Sequence, residues 1–273
     1  MIIDGRALAK DVLTRTKARA EKLSNAPHVA GIVASETSAT RSYLRIKGQR
    51  AVDAGCIFEE QRFAEDVSTD SLREAIQVSQ AGAIIVQLPL PTALDAREVC
   101  NAIPVLKDAD VLSEVAREKF ERGDTDALLP PVVGAVREIF LQAHVEMQGK
   151  RAVVIGNGWL VGNPCAVWLR QQGAEVTVVT LESGDIQSAL ADADIIVSGA
   201  GSPYLIRPEF LKQGVVLVDA GTSDSNDIVV GDADPACAEK CSVFTPVPGG
   251  VGPLAVAKLF ENVVTLSERT TNR

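Results

Sequence analysis

The chain has 273 residues, 27 Lys and Arg against 36 Asp and Glu, and a formal net charge of -9. Its 46% apolar and 23% charged residues argue against a disordered chain, and the length is that of about two domains. The acidic balance and an aromatic content of only 4% argue against a general nucleic-acid binder, which needs a basic face or stacking platforms.

No apolar run reaches the ~18 residues of a membrane helix, and Met1-Ile2-Ile3-Asp4-Gly5-Arg6 lacks the pattern of a secretory leader. These features point to a cytoplasmic protein with no membrane or nucleic-acid partner. Cys56, Cys100, Cys165, Cys237 and Cys241 are odd in number and lack a C-x-x-C pair or neighbouring histidines. Free thiols in a reducing compartment, and no metal site, are expected.

From the N-terminus, residues 5–23 space Ala7, Leu8, Val12 and Leu13 as one face of an amphipathic helix. The apolar run 28–34 reads as a buried strand, 42–54 as a helix closed by Gly55, and 57–63 as a strand. A helix over 71–80, with Ser68 or Thr69 near its cap, leads to a buried strand over 83–87 that stops at Leu88-Pro89-Leu90-Pro91. This alternation implies a parallel α/β layer. Residues 104–131 read as loop-rich and 133–143 as a helix. A second α/β unit then follows. Its strands are predicted at 150–155, 175–179, 194–197 and 215–219, its helices at 163–172 and 186–191, and a last helix at 251–267. A boundary near 145–150 gives two α/β lobes, and a cleft between lobes is a favoured ligand site.

Two local patterns carry chemistry. Gly156-Asn157-Gly158-Trp159-Leu160-Val161-Gly162 lies between a predicted strand and a predicted helix, the context of a dinucleotide-binding turn, although its spacing is one residue longer than the usual fingerprint. Glycines let the backbone approach a pyrophosphate, and the helix N-terminus supplies N–H donors. The next strand ends at Val179-Thr180-Leu181-Glu182-Ser183 without Arg or Lys. Glu182 facing the site would repel a ribose 2′-phosphate; a solvated loop glutamate is the plainer alternative. Tyr43 and Lys47 share a helix face by their spacing, and a buried lysine can exchange protons near neutral pH. Spacing alone favours an ordinary surface pair. The Tyr-x-x-x-Lys pair of short-chain dehydrogenases lies downstream of the glycine turn, whereas this one lies far upstream, so that reading is rejected.

Taken together, six stretches resemble the methylenetetrahydrofolate dehydrogenase/cyclohydrolase (FolD) family. They are Ile3-Asp4-Gly5, Ser42–Lys47, Val86-Gln87-Leu88-Pro89-Leu90-Pro91, Lys107-Asp108-Ala109-Asp110, Gly156–Pro164 and Thr245-Pro246-Val247-Pro248-Gly249-Gly250-Val251-Gly252-Pro253. The resemblance implies a two-lobed α/β fold: a folate-binding catalytic domain over 1–147 with 252–273, and a Rossmann-type dinucleotide-binding domain over 148–251. It implies a homodimer, a tetrahydrofolate substrate and NADP or NAD as cofactor. The reactions implied are oxidation of methylenetetrahydrofolate to a methenyl cation and hydrolysis of that cation to 10-formyltetrahydrofolate. By the same resemblance, Lys47 is the catalytic lysine, Gln87 positions it, Tyr43 stacks on the folate and Asp110 grips the pterin edge. Leu88, Pro246, Pro248, Gly249 and Gly250 belong to the folate-binding segments. Gly156, Asn157, Gly158, Thr180, Leu181, Glu182 and Thr222 fall at cofactor positions.

Five departures from the family pattern stand out. Asp-Val-Asp-Gly is Asp108-Ala109-Asp110-Val111 here, and Pro-Cys-Thr-Pro is Pro130-Pro131-Val132-Val133. The Arg-Ser of the glycine turn is Asn157-Gly158, His-Ser-Arg-Thr is Thr180-Leu181-Glu182-Ser183, and Met-Thr is Leu254-Ala255. Two lost charge-assisted contacts would weaken cofactor binding ~100-fold or more. The alternatives to a bifunctional enzyme are a paralogue with one activity or a preference for NAD, and a non-catalytic folate- or nucleotide-binding protein.

Overall fold

The computed structural model describes residues 1–35, 37–183, 185–225 and 228–271. The chain packs into two compact units, Lys10–Pro131 with Val256–Arg273 and Met1–Ala9 with Val132–Ala255.

The first unit contains most of α1 (Gly5–Ala20), then β1 (His28–Val33), α2 (Ser38–Asp53), β2 (Ile57–Arg62), α3 (Thr69–Val78), β3 (Ala83–Val86), α4 (Ala96–Asn101) and α5 (Glu114–Arg122). Its sheet is parallel with order β2-β1-β3, and Val29 of the central strand pairs with both Phe58 and Ala83. The central strand β1 and the edge strand β3, which Asp108 bridges at Ile84, are buried almost throughout and are nearly continuous apolar runs, while the other edge strand β2 is half exposed and carries Glu59, Glu60 and Arg62. Ile32, Ile84, Leu72 and Ile76 are fully buried. Burying such side chains stabilises by roughly 1.5–3 kcal/mol each.

α2 starts a turn earlier than the apolar spacing predicts, because the Thr37 hydroxyl accepts from Thr40 N at 3.1 Å and caps it there. The stretch 104–131 is not all loop: Ser113 caps the charged helix α5, and Gly123 closes it at φ 72°. α9 (Val251–Thr271) runs on into this unit, where Phe260 meets Phe58 edge-to-face at 6.5 Å and Arg19 forks onto Glu268 at 2.7 and 3.0 Å.

The second unit holds α6 (Pro131–Gln142), β4 (Arg151–Ile155), α7 (Gly162–Gln171), β5 (Glu175–Val179), α8 (Ile186–Ala191), β6 (Ile195–Ser198), β7 (Val215–Asp219), the hairpin β8 (Ser223–Ser225) and β9 (Ile228–Val230), and β10 (Cys241–Phe244). The five-stranded sheet is parallel with order β10-β7-β6-β4-β5. From β4 the chain goes to β5 on one side and then crosses to β6 on the other, so β4 and β6 flank a topological switch point. In open α/β sheets that is where a ligand crevice opens, beyond the carboxyl ends of the strands. The N-terminal residues join the far edge: Phe244 N donates to Met1 O, and Ile3 N to Phe244 O, both at 2.9 Å.

Candidate active site

In the first unit, Lys47 projects from α2, and Gln87 ends the run of β3, its N–H donating to Ile32 O at 2.9 Å. Lys47 Nζ donates to Gln87 Oε1 at 3.0 Å, and Gln87 Nε2 donates to Leu88 O at 2.7 Å. The second bond settles which end of the amide faces the lysine, since a carbonyl can meet only the NH2 group. Burial pulls the Lys47 pKa below the ordinary lysine value, and the nearby charge of Asp110 opposes that fall. Burial also raises the Asp110 pKa; Lys47 pulls it back and Asp108 pushes it further up. A buried amine whose pKa is lowered, beside a carboxyl group, is placed to exchange a proton. Tyr43 sits one helical turn before Lys47 with 45% of its surface exposed.

The loop that presents Asp110 is tightly held. Asp108 is 1% exposed, and its carboxylate accepts from Leu112 N at 3.1 Å, Ser113 N at 2.8 Å and Ser113 Oγ at 2.6 Å. Between them Val111 takes φ 57°, the left-handed region that a β-branched residue rarely enters. From α9, the Asn262 amide donates to Ala109 O and to Leu129 O, each at 2.9 Å.

The second unit gathers the other predicted residues along the carboxyl edge of its sheet. Gly156 follows β4 at φ 90°, and a Cβ there would meet Gly199 O at 2.8 Å. A Cβ on Gly162 would run into Gly156 O, and one on Gly199 into the Val161 side chain. The turn and the loop after β6 therefore approach as closely as backbone permits. Asn157 and Gly158 are exposed above them, and no side chain caps the N-terminus of α7. That cradle fits a pyrophosphate. Thr180, Leu181 and Glu182 form the turn after β5, closed by Thr180 N donating to Ser183 Oγ at 2.8 Å. Thr222 lies exposed beyond β7. Pro246, Pro248, Gly249 and Gly250 follow β10, and the loop closes through Gly250 N to Pro246 O at 2.7 Å. Gly5 packs directly on Gly250 O, where any Cβ would clash, and Asp4 Oδ1 caps α1 beside it.

Beneath this edge lie two buried acids that sequence reasoning did not single out. Asp219 accepts from Gly221 N at 2.9 Å and Ala233 N at 2.8 Å, and burial nevertheless pushes its pKa up to about 7. Asp232 accepts from Ser198 Oγ at 2.6 Å and from Ala200 N and Ser202 N at 2.8 Å, which fixes the loop after β6. Their only mark in the sequence is an acid at the close of an apolar strand, Asp219, and one inside Gly231-Asp232-Ala233. Asn262, within the helix predicted over 251–267, carried none.

Lys47, Gln87 and Asp110 thus come together, with Tyr43 beside them, while the glycine turn, 180–182, 222 and 246–250 share one sheet edge in the other unit. Residues 3–110 match the family described as tetrahydrofolate dehydrogenase/cyclohydrolase, catalytic domain, and residues 130–271 match its NAD(P)-binding domain. A protein of Methanococcoides burtonii named bifunctional protein FolD is 35% identical over 278 residues, covering 98% of this chain and 97% of the relative. The crystal structure of the bifunctional FolD methylenetetrahydrofolate dehydrogenase/cyclohydrolase from Campylobacter jejuni superposes with a TM-score of 0.95 at 28% identity, covering 99% of each chain. The Trypanosoma brucei methylenetetrahydrofolate dehydrogenase-cyclohydrolase, solved with NADP and an inhibitor, gives 0.94 at 31%, covering 100% of this chain and 99% of that one. Matched along both its units, this chain belongs to the tetrahydrofolate dehydrogenase/cyclohydrolase family.

Proposed function

We propose that the chain oxidises 5,10-methylenetetrahydrofolate with NAD(P) and hydrolyses the resulting methenyl cation to 10-formyltetrahydrofolate. The observation that carries this reading is the Lys47 Nζ to Gln87 Oε1 hydrogen bond beside Asp110. The first half removes a hydride from the methylene carbon and leaves the cation; the second adds water and releases a proton. A bound nicotinamide dinucleotide supplies the hydride acceptor. Gly156, Asn157, Gly158 and the start of α7 hold its pyrophosphate, with Thr180, Leu181, Glu182 and Thr222 around the rest. Lys47, as the amine, takes the proton released when water adds, and as the ammonium steadies charge on oxygen. Gln87 keeps the lysine head in place. Asp110 offers paired acceptors to the planar donor edge of a pterin, and Tyr43 stacks on it. Leu88, Pro246, Pro248, Gly249 and Gly250 complete the folate contacts. In this reading 1–147 with 252–273 bind folate, and 148–251 bind the dinucleotide.

The turn after β5 favours a second reading of the cofactor: Glu182 and the absence of Arg or Lys over 180–183 suit NAD, whose ribose hydroxyls a carboxylate can accept from. The assay is formation of the methenyl species by its near-ultraviolet absorbance with each dinucleotide. Turnover is expected, with Lys47→Met lowering cyclohydrolase turnover ~100-fold or more. Absence of turnover with both cofactors overturns the dehydrogenase assignment, and preference for NADP overturns the NAD reading. We also propose a cytoplasmic homodimer joined through the glycine-turn unit. The free, buried thiols of Cys56, Cys100, Cys165 and Cys237 suit a reducing compartment, and the homodimer rests on the family resemblance. A sedimentation mass of one 28.9 kDa chain would refute the dimer.

A further inference from the structure

Asp110 does not sit on a helix or strand. It stands in the loop between the short helical turn Val105–Lys107 and α5, one residue before the left-handed Val111. Its charge acts on Lys47, and a carboxylate in such a place keeps that position only if the loop is fixed from outside as well as inside. The inside tie is Asp108, with its bonds to Leu112 N, Ser113 N and Ser113 Oγ. The outside tie is Asn262 of α9, whose two N–H bonds end on Ala109 O, the peptide between the two acids, and on Leu129 O beyond the far end of α5. Both acceptors are carbonyls, so only the NH2 group can serve them and the amide orientation is unambiguous. One side chain thereby ties together the two chain segments that flank α5.

We propose that Asn262 is a positioning residue for the one-carbon chemistry: its paired donation to Ala109 O and Leu129 O holds the loop that carries Asp110 in its place near Lys47. This rests on the proposed roles of Lys47 and Asp110. Gln87 bonds the lysine head, Asp110 acts on it from the loop, Asp108 stands behind Asp110, and Lys258 and Glu261 pair with each other on α9 next to Asn262. Of these, Asp110 is the group whose charge holds the ammonium form of Lys47 up against its burial. Loss of the Asn262 ties lets Asp110 drift, and the Lys47 pKa then falls further.

The test compares Asn262→Ala, Asp110→Asn, their double variant and Lys47→Met in the full chain. It reads kcat, KM and the acid limb of the cyclohydrolase pH profile. Asn262→Ala is expected to lower kcat/KM ~10-fold and to move the acid limb to lower pH, in the same direction as Asp110→Asn. The double variant should be no slower than Asp110→Asn within about twofold, because both changes act through one carboxylate. Asn262→Ser retains a donor and loses one of the two bonds; if the alanine variant does not fold, it carries the test with the same signs and smaller size. A loss of thermal stability with an unmoved acid limb, or multiplying losses in the double variant, overturns the positioning role. If Lys47→Met and Asp110→Asn leave turnover intact, the proposed chemistry itself falls, and the role of Asn262 with it.

Discussion

Val111 shows how a single position can hold two opposing effects. Its φ of 57° costs a residue with a Cβ roughly 1–2 kcal/mol. Its side chain is 3% exposed, and burial of a valine returns roughly 1.5–3 kcal/mol. Truncation to alanine removes the burial and keeps the strain, whereas truncation to glycine removes both. Val111→Gly is therefore expected to be more stable than Val111→Ala by about 1 kcal/mol, the reverse of the usual order, in denaturant titrations. The opposite ranking would show that the loop relaxes to accept a Cβ. The site residues were readable to different depths. Tyr43 and Lys47 share a helix face by spacing. The pairing of Lys47 with Gln87 bridges two elements far apart in the chain, and only family resemblance reached it. Asn262 was invisible because a polar residue on a helix reads as solvated until its partners are known.

Among the helices, α1 carries a buried defect. Thr16 is fully buried and its hydroxyl oxygen has no hydrogen-bond partner. A buried polar group left unpaired costs about 1–3 kcal/mol. Thr16→Val keeps the shape and removes the polar atom, so it should raise stability by about 1 kcal/mol in a chemical denaturation curve; a loss would mean that the hydroxyl is satisfied in solution. The strands β1, β3, β4, β6 and β7 were evident from their apolar runs, since a parallel sheet covered on both faces needs no alternation. α4 and α5 were not. α4 has six residues, too few to show a period, and α5 buries only Ala116 and Phe120 under a charged surface, so its beginning is written in the Ser113 cap alone. β8 and β9 have three residues each and β10 has four, too short to give a run to detect.

For the molecule as a whole, pH acts through groups whose ionisation differs between folded and unfolded chains. Asp219 is 1% exposed with a pKa pushed up to about 7 by burial, against about 4 in an unfolded chain. The folded protein thus binds more protons than the unfolded one between those values, so the contribution is present below pH ~4 and is lost as pH rises through ~7. The size is up to ~4 kcal/mol. Asp219→Asn should remove this slope from a plot of unfolding free energy against pH, while lowering stability overall, since an amide has one acceptor for two backbone N–H groups. A slope that survives the substitution would assign the titration to another buried acid. Net charge gave none of this, because -9 counts acids without regard to burial.

The division of the chain also bears on the order in which it can fold during synthesis. The unit that carries Lys47, Gln87 and Asp110 is built from Lys10–Pro131 but includes the stretch that begins at Val256. Arg19, Phe58 and Ala109 wait for Glu268, Phe260 and Asn262, which a ribosome adds more than a hundred residues later. The sheet of the other unit, by contrast, has all its strands once Phe244 has been made. The unit that holds Lys10–Pro131 is therefore completed after the sheet of the other unit, and the Asp110 loop is tied down only once Asn262 has been made.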